Sequence, residues 1–260
     1  MLALTENGLK VQVLDATYNP EETTLKEAIT SLCQEAGAHV AGGASVLVLS
    51  DRGLGDTHVP IHSLLATGAV HNHLIANGLR ADSNLIIESG SARDSHQFAC
   101  LLGFGATAVY PYLAYSVLAE QLGSGEILGA PSACYKNYRK GINKGLLKIM
   151  SKMGIAAVNS YRGAQLFEAV GLDAEVVDVA FSGVSSRIAG AGCAHLEFDQ
   201  IQLARAARLK RKPVTAGGLL KYVHGGEYHA YNPDEVVSLQ RAVVSTNNAD
   251  YKASAEHCHD

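Results

Sequence analysis

The chain lacks most of the features that would classify it at once. No apolar run reaches the ~18 residues that span a bilayer, so no spanning helix is expected. The start, MLALTENGLK, has neither a basic segment nor a long apolar core, which excludes an ordinary secretory signal. Cytoplasm is the expected compartment, or a plastid stroma if the source is a photosynthetic eukaryote. The five cysteines, Cys33, Cys100, Cys134, Cys193 and Cys258, are far apart and form no CxxC pair. Zinc and iron–sulfur spacings are thereby excluded, and reduced thiols are expected. Positive charge is not in excess: the formal net charge of −4 argues against a nucleic-acid-binding surface.

Catalytic signatures are also missing. The run SDRGLGD from Ser50 is not GxGxxG, and no P-loop lysine follows it. Its Gly53 and Gly55 leave open either an anion nest or a plain βα loop. The glycine-rich run GVSSRIAGAGC, with Arg187, is open in the same way. Ser89, Ser91 and Ser160 sit in no GxSxG elbow. His71 and His73 are two apart, which on a helix sends them to nearly opposite sides and makes chelation poor. His58, His62 and His96 are expected to be structural or surface residues.

What is present is a regular alternation. At 260 residues, 47% hydrophobic and 18% charged, the chain has the composition of a globular protein with a sizeable core. Strand-like runs begin at Val11, Ser45, Asn84, Ala106 and Ile155. Helical stretches follow at 21–36, 60–76, 95–102, 113–122 and 164–170. Short β-rich runs before amphipathic helices predict βα units and a parallel sheet. The expected class is therefore α/β: repeated βα units, open or like part of a barrel, then a helical and hairpin C-terminal extension. The expected boundary puts 1–192 in the α/β segment and 193–260 in the extension.

Punctuation supports this pattern. Asp56 or Thr57 is expected to cap a helix with Pro60 in its first turn, and Asn77-Gly78 to end it. Asp94 should cap the third helix. The segment around Gly225-Gly226 reads as a hairpin, Asn232-Pro233 opens a last helix, and the tail NNADYKASAEHCHD has no apolar face. Asp51, Asp56, Glu88, Asp94, Glu168 and Asp178 fall near predicted strand ends or helix starts, where α/β sites gather. Glu88 and Arg93 could face a crevice or form caps and ion pairs.

The stretch from Tyr135 to Gly171 carries the most information. It reads as an amphipathic helix to Met153, a glycine stop, a short strand and a second helix. Tyr138, Ile142, Leu146, Ile149, Met150 and Met153 form its core face. Lys136, Lys140, Lys144, Lys148 and Lys152 make a basic stripe, either solvated or a docking face for an acidic partner.

Several long blocks resemble the large subunit of glutamate synthase: PIHSLLATGAVHNHLI from Pro60, SGSARDSHQFACLLGFGATAVYPYLA from Ser89, NYRKGINKGLLKIMSKMGIAAVNSYRGAQLFEAVGL from Asn137, FSGVSSRIAGAG from Phe181 and GGEYHAYNPDEVVSLQRAV from Gly225. The resemblance implies a parent that joins a glutaminase domain, a central α/β domain, an FMN-binding barrel and a β-helix. That parent would form L-glutamate from 2-oxoglutarate and glutamine. FMN and a 3Fe-4S cluster would carry electrons from a small subunit or ferredoxin. The chain resembles the central domain and its lead-in to the synthase domain. It lacks the glutaminase's N-terminal cysteine, the three-cysteine cluster motif and the flavin segment, so no catalytic, flavin or cluster residue carries over. Scaffolding between active sites is the implied role, with the other domains as partners and neither nucleic acid nor membrane involved. Tyr161 and Arg162 are the expected interdomain contacts, with Lys136, Lys140, Lys144 and Lys148 second. A flavin- or phosphate-binding α/β protein and an assembly module are the rival readings.

Overall fold

The computed structural model describes residues 8–209, 218, 221–245 and 248–257. The chain divides into two compact units, 1–208 and 209–260.

The first unit is built on four parallel strands: β1 (Val11–Asp15), β3 (Val46–Ser50), β5 (Asn84–Glu88) and β6 (Ala108–Tyr110), in the order β1-β3-β5-β6. The order follows the chain without reversal, which is how an arc of a βα barrel is laid out rather than a doubly wound sheet. The connecting helices are α1 (Leu25–Ala41), α2 (Ser63–Ala76) and α3 (Ser95–Gly103). Alternation along the strands sends Leu14, Leu47, Leu49, Leu85 and Ile87 to the helix side, where they join Leu25, Ile29, Leu65, Val70 and Leu74 in one core. The opposite side carries Val13, Val48, Ile86 and Ala108 in register. Val48 is buried, but Val13 at the edge is 42% exposed, so this second face is only partly covered.

The α1 helix starts with a capping box: Thr24 accepts from the Glu27 N–H, and Glu27 accepts from the Thr24 N–H. Asp94 and Gln97 do the same for α3, as the sequence leads one to expect. The start of α2 differs. Val59–Pro60 (β4) pairs antiparallel with Thr17–Tyr18 (β2), so the helix begins only at Ser63, with His62 rather than Asp56 or Thr57 as its cap. Asn77 ends it, and Gly78 lies just beyond at φ +69°.

After β6 the chain forms α4 (Tyr112–Ser124) and the 22-residue α5 (Pro131–Lys152). The predicted strand from Ile155 does not form. The Ile155 N–H turns back to the Met150 carbonyl and Gly154 takes φ +71°, so the chain reverses at the helix end. A short helix, α6 (Val158–Tyr161), stands in its place. The predicted helix over 164–170 is likewise replaced, by β7 (Glu168–Leu172), which pairs in parallel with β8 (Ser185–Ala191) around α7 (Ala174–Ala180). The glycine-rich run at Arg187 is therefore a strand, a pairing that local pattern does not reveal. The helix α8 (Cys193–Ala207) closes the unit, and the sequence-based boundary after Gly192 falls inside it.

In the second unit, Asn232 caps α9 (Pro233–Ser245) by accepting from the Asp234 and Glu235 N–H groups, both at 2.9 Å. In the tail, Asn248–His257 forms a helix, α10, packed on α9. Residues 221–232 form turns and bends without a strand, so the described part of the expected hairpin is absent. Two adjacent glycines there, Gly225 at φ +74°, favour a tight turn over an extended ladder. The remainder of that segment, and Cys258, lie outside the described residues.

Candidate functional site

Polar side chains of the first unit converge at the carboxyl ends of the parallel strands. Register places Asp15, Ser50, Glu88 and Tyr110 in one row across β1, β3, β5 and β6. Ser50 and Glu88, in the middle, are buried. Glu88 accepts from Ser50 Oγ at 2.6 Å on one oxygen and from Arg52 Nε at 2.7 Å on the other. The Arg52 guanidinium lies 4.1 Å from the Tyr112 ring centroid and 5.9 Å from that of Tyr110, which holds the cation against two π faces.

One residue further along, Asp51 accepts from Ser89 Oγ at 2.8 Å and from the Gly90 N–H at 3.0 Å to each oxygen. Tyr112 is its third partner; burial, then this hydrogen bond, pushes the phenol up, so Tyr112 stays a donor. Hydroxyls continue from Ser89 to Ser91 at 2.9 Å and from Ser91 to Ser63 at 3.0 Å. Gly53 is needed beside this row, because a Cβ there would lie 2.6 Å from the Asp15 carboxylate.

The rim is rich in acceptors and hydroxyls. In the SDRGLGD loop, the Cα of Gly53 faces the Asp15 carboxylate. The rim holds no assembled nucleophile. Ser89 donates to Asp51 and not to an imidazole, and His62 Nδ1 accepts from the Leu64 N–H at 3.3 Å.

The other sequence-marked residues disperse. Arg93 is exposed; its backbone N–H donates to the Gln97 side chain and its carbonyl accepts from Tyr138. Asp94 is a helix cap, and Glu168 pairs with Arg187 at 3.6 Å on the exposed strands β7 and β8. His71 accepts from Arg80 Nε at 2.8 Å, whereas His73 lies near Asn77. Tyr161 is inside the protein, 2% exposed, in a small cluster with Ala99 and Met150, and offers little surface to a neighbouring domain. Arg162, the next residue, is half-buried. Lys136, Lys140, Lys144, Lys148 and Lys152 are all exposed on α5. Sequence reading passed over Arg52, Tyr112, Asp15 and Arg80. The first three become visible only when strand register aligns the ends of β1, β3, β5 and β6.

Among the described residues the cysteines do not gather into a cluster site. Cys33 and Cys193 are buried on separate helices, and burial pushes Cys33 up to about 11, away from the thiolate a cluster needs. Among the described residues no three His, Cys, Asp or Glu side chains converge to hold a metal ion. No described helix is long and apolar enough to cross a membrane.

Parallel strands in chain order, with connecting helices packed on one face and polar side chains at the strand ends, define an α/β domain. A family model described as "Glutamate synthase central domain" matches residues 1–173, and the chain belongs to that family. It is 38% identical over 236 residues to the glutamate synthase [NADPH] large chain of Bacillus subtilis, covering 90% of this chain and 15% of that protein. It is 39% identical over 251 residues to the glutamate synthase [NADH] of Schizosaccharomyces pombe, covering 93% and 12%. The ferredoxin-dependent glutamate synthase of Pyropia yezoensis is 39% identical over 261 residues, covering 94% and 17%. The chain thus spans only a small fraction of the length of these relatives.

Proposed function

We propose that this chain is a non-catalytic central segment of an enzyme that forms L-glutamate from 2-oxoglutarate and glutamine. It would act in the cytoplasm or a plastid stroma, with FMN and a 3Fe-4S cluster held by other parts of the polypeptide. The observation that carries this reading is the relatives' shared segment: proteins whose names specify NADPH, NADH and ferredoxin all match it at similar identity. A segment common to three donors is not one that selects the donor. The rim geometry is consistent with scaffolding, since Asp51 and Glu88 are engaged by internal partners. Such a rim holds βα loops rigid, and rigidity between distant sites keeps a reactive intermediate from water.

The outer contact to neighbouring domains falls on α5. It carries six basic residues and no acidic one, although the chain as a whole is net negative. Lys136, Lys140, Lys144 and Lys148 are exposed and have no ion pair among the described residues. Reversing Lys140 and Lys144 to glutamate in the full-length enzyme should raise the glutamine hydrolysed per glutamate formed, with the glutaminase rate itself retained. An unchanged ratio would show that this face does not couple the domains.

A further inference from the structure

Helix α4 is apolar around most of its circumference, yet none of it is buried. Its sequence, YLAYSVLAEQLGS, carries a single charge, Glu120, and no residue of the helix is shielded from solvent as a core residue is. Leu113 and Val117, four residues apart and so on one face, are 48% and 44% exposed. A helix of this composition normally lies inside a protein. The neighbouring α5 has the opposite character. From Tyr112 to Lys152 the chain has six basic residues and two acidic ones, and all six basic residues lie on α5.

Between the two helices lies a cavity of ≈ 240 Å³, with Phe98, Pro111, Tyr115, Arg139, Ile142 and Leu146 in its wall. Tyr115 meets Tyr135 edge-on at 5.3 Å and Tyr138 at 5.6 Å between ring centroids. The Tyr138 hydroxyl donates to the Arg93 carbonyl at 2.9 Å, which fixes that ring in place. Arg139 is exposed and has no ion pair among the described residues. Tyrosine and arginine around an apolar pocket are the side chains that dominate binding energy at protein interfaces. The cavity has room for one large apolar side chain.

We propose that α4 and α5 form one docking surface for an acidic protein segment that places a large apolar side chain in this cavity. Charge sets the partner: basic residues in excess along α5 attract carboxylates and repel a basic segment. The open apolar surface of α4 supplies the drive, because covering it removes that surface from water. The proposal rests on the reading that α5 faces neighbouring domains, and it adds the chemistry of what is bound there.

The test titrates the 260-residue chain with short peptides. One carries a central tryptophan flanked by aspartate and glutamate, one the same tryptophan flanked by lysine, and one alanine between the same acidic residues. The chain has no tryptophan, so indole emission reports the peptide alone. The acidic tryptophan peptide should bind saturably with a blue shift, and more weakly as salt is raised. Alanine in place of tryptophan, read by competition, should weaken binding about tenfold or more. The basic peptide should not bind. Arg139→Glu should weaken the acidic peptide about fivefold or more, with the unfolding midpoint unchanged because Arg139 is exposed and unpaired. On the wild-type chain alone, the proposal is overturned by no saturable binding, by equal binding of acidic and basic peptides, or by equal competition from the alanine peptide. If the acidic peptide fails to bind while reversal of Lys140 and Lys144 still raises the glutamine used per glutamate, this docking site falls and the scaffolding role stands.

Discussion

At the scale of single residues, Asp51 does the most to tie the rim together. It joins the loop after β3 to the loop after β5 through Ser89 and Gly90, and to α4 through Tyr112. Ser89 is 0% exposed, so removing Asp51 leaves its hydroxyl with Ser91 alone and takes from the Gly90 N–H its acceptor. Asp51→Ala should therefore cost about 1–3 kcal/mol, read as a lower urea midpoint, with Asp51→Asn costing less because one acceptor oxygen remains. Equal stability of Asp51→Ala and the parent chain would mean that the loops are held by packing alone. Asp51 and Glu88 could be marked from sequence because both end apolar strand-like runs. Arg52 and Tyr112 could not, because a salt bridge and a cation–π contact between separate βα loops leave no local periodicity. Tyr161 looked like a contact residue for its place in a conspicuous segment, but aromatic burial against Ala99 and Met150 took it inside.

At the scale of elements, α2 is held by a close crossing with α7. A Cβ on Gly68 would fall within contact distance of the Ala180 carbonyl oxygen, a backbone atom that cannot rotate away. Gly68→Ala should destabilise by about 1–3 kcal/mol in urea unfolding, despite alanine's better helix propensity. A stabilised variant would mean that the two helices can separate at little cost. The four main strands were legible because each is a short apolar, β-rich run that comes before a helical stretch. The segment from Ile155 to Ala191 was not, for a physical reason. Its strands pair with each other across an intervening helix, and parallel pairing of that kind is decided by partners rather than by period. The tail helix was missed because its stability comes from packing on α9, not from an apolar stripe of its own.

At the scale of the molecule, the strand order and the partly open sheet face describe an arc of a barrel. Family membership gives that architecture a setting, and the short share of each relative's length gives it a size. The central claim is that this segment serves within a longer glutamate-forming polypeptide. The decisive measurement is the mass of the native polypeptide that carries the Tyr135–Gly171 peptide, determined by mass spectrometry of intact protein from the source cells. A mass several-fold above 27.4 kDa is expected if the segment works between other domains. A native mass near 27.4 kDa would contradict the scaffolding role.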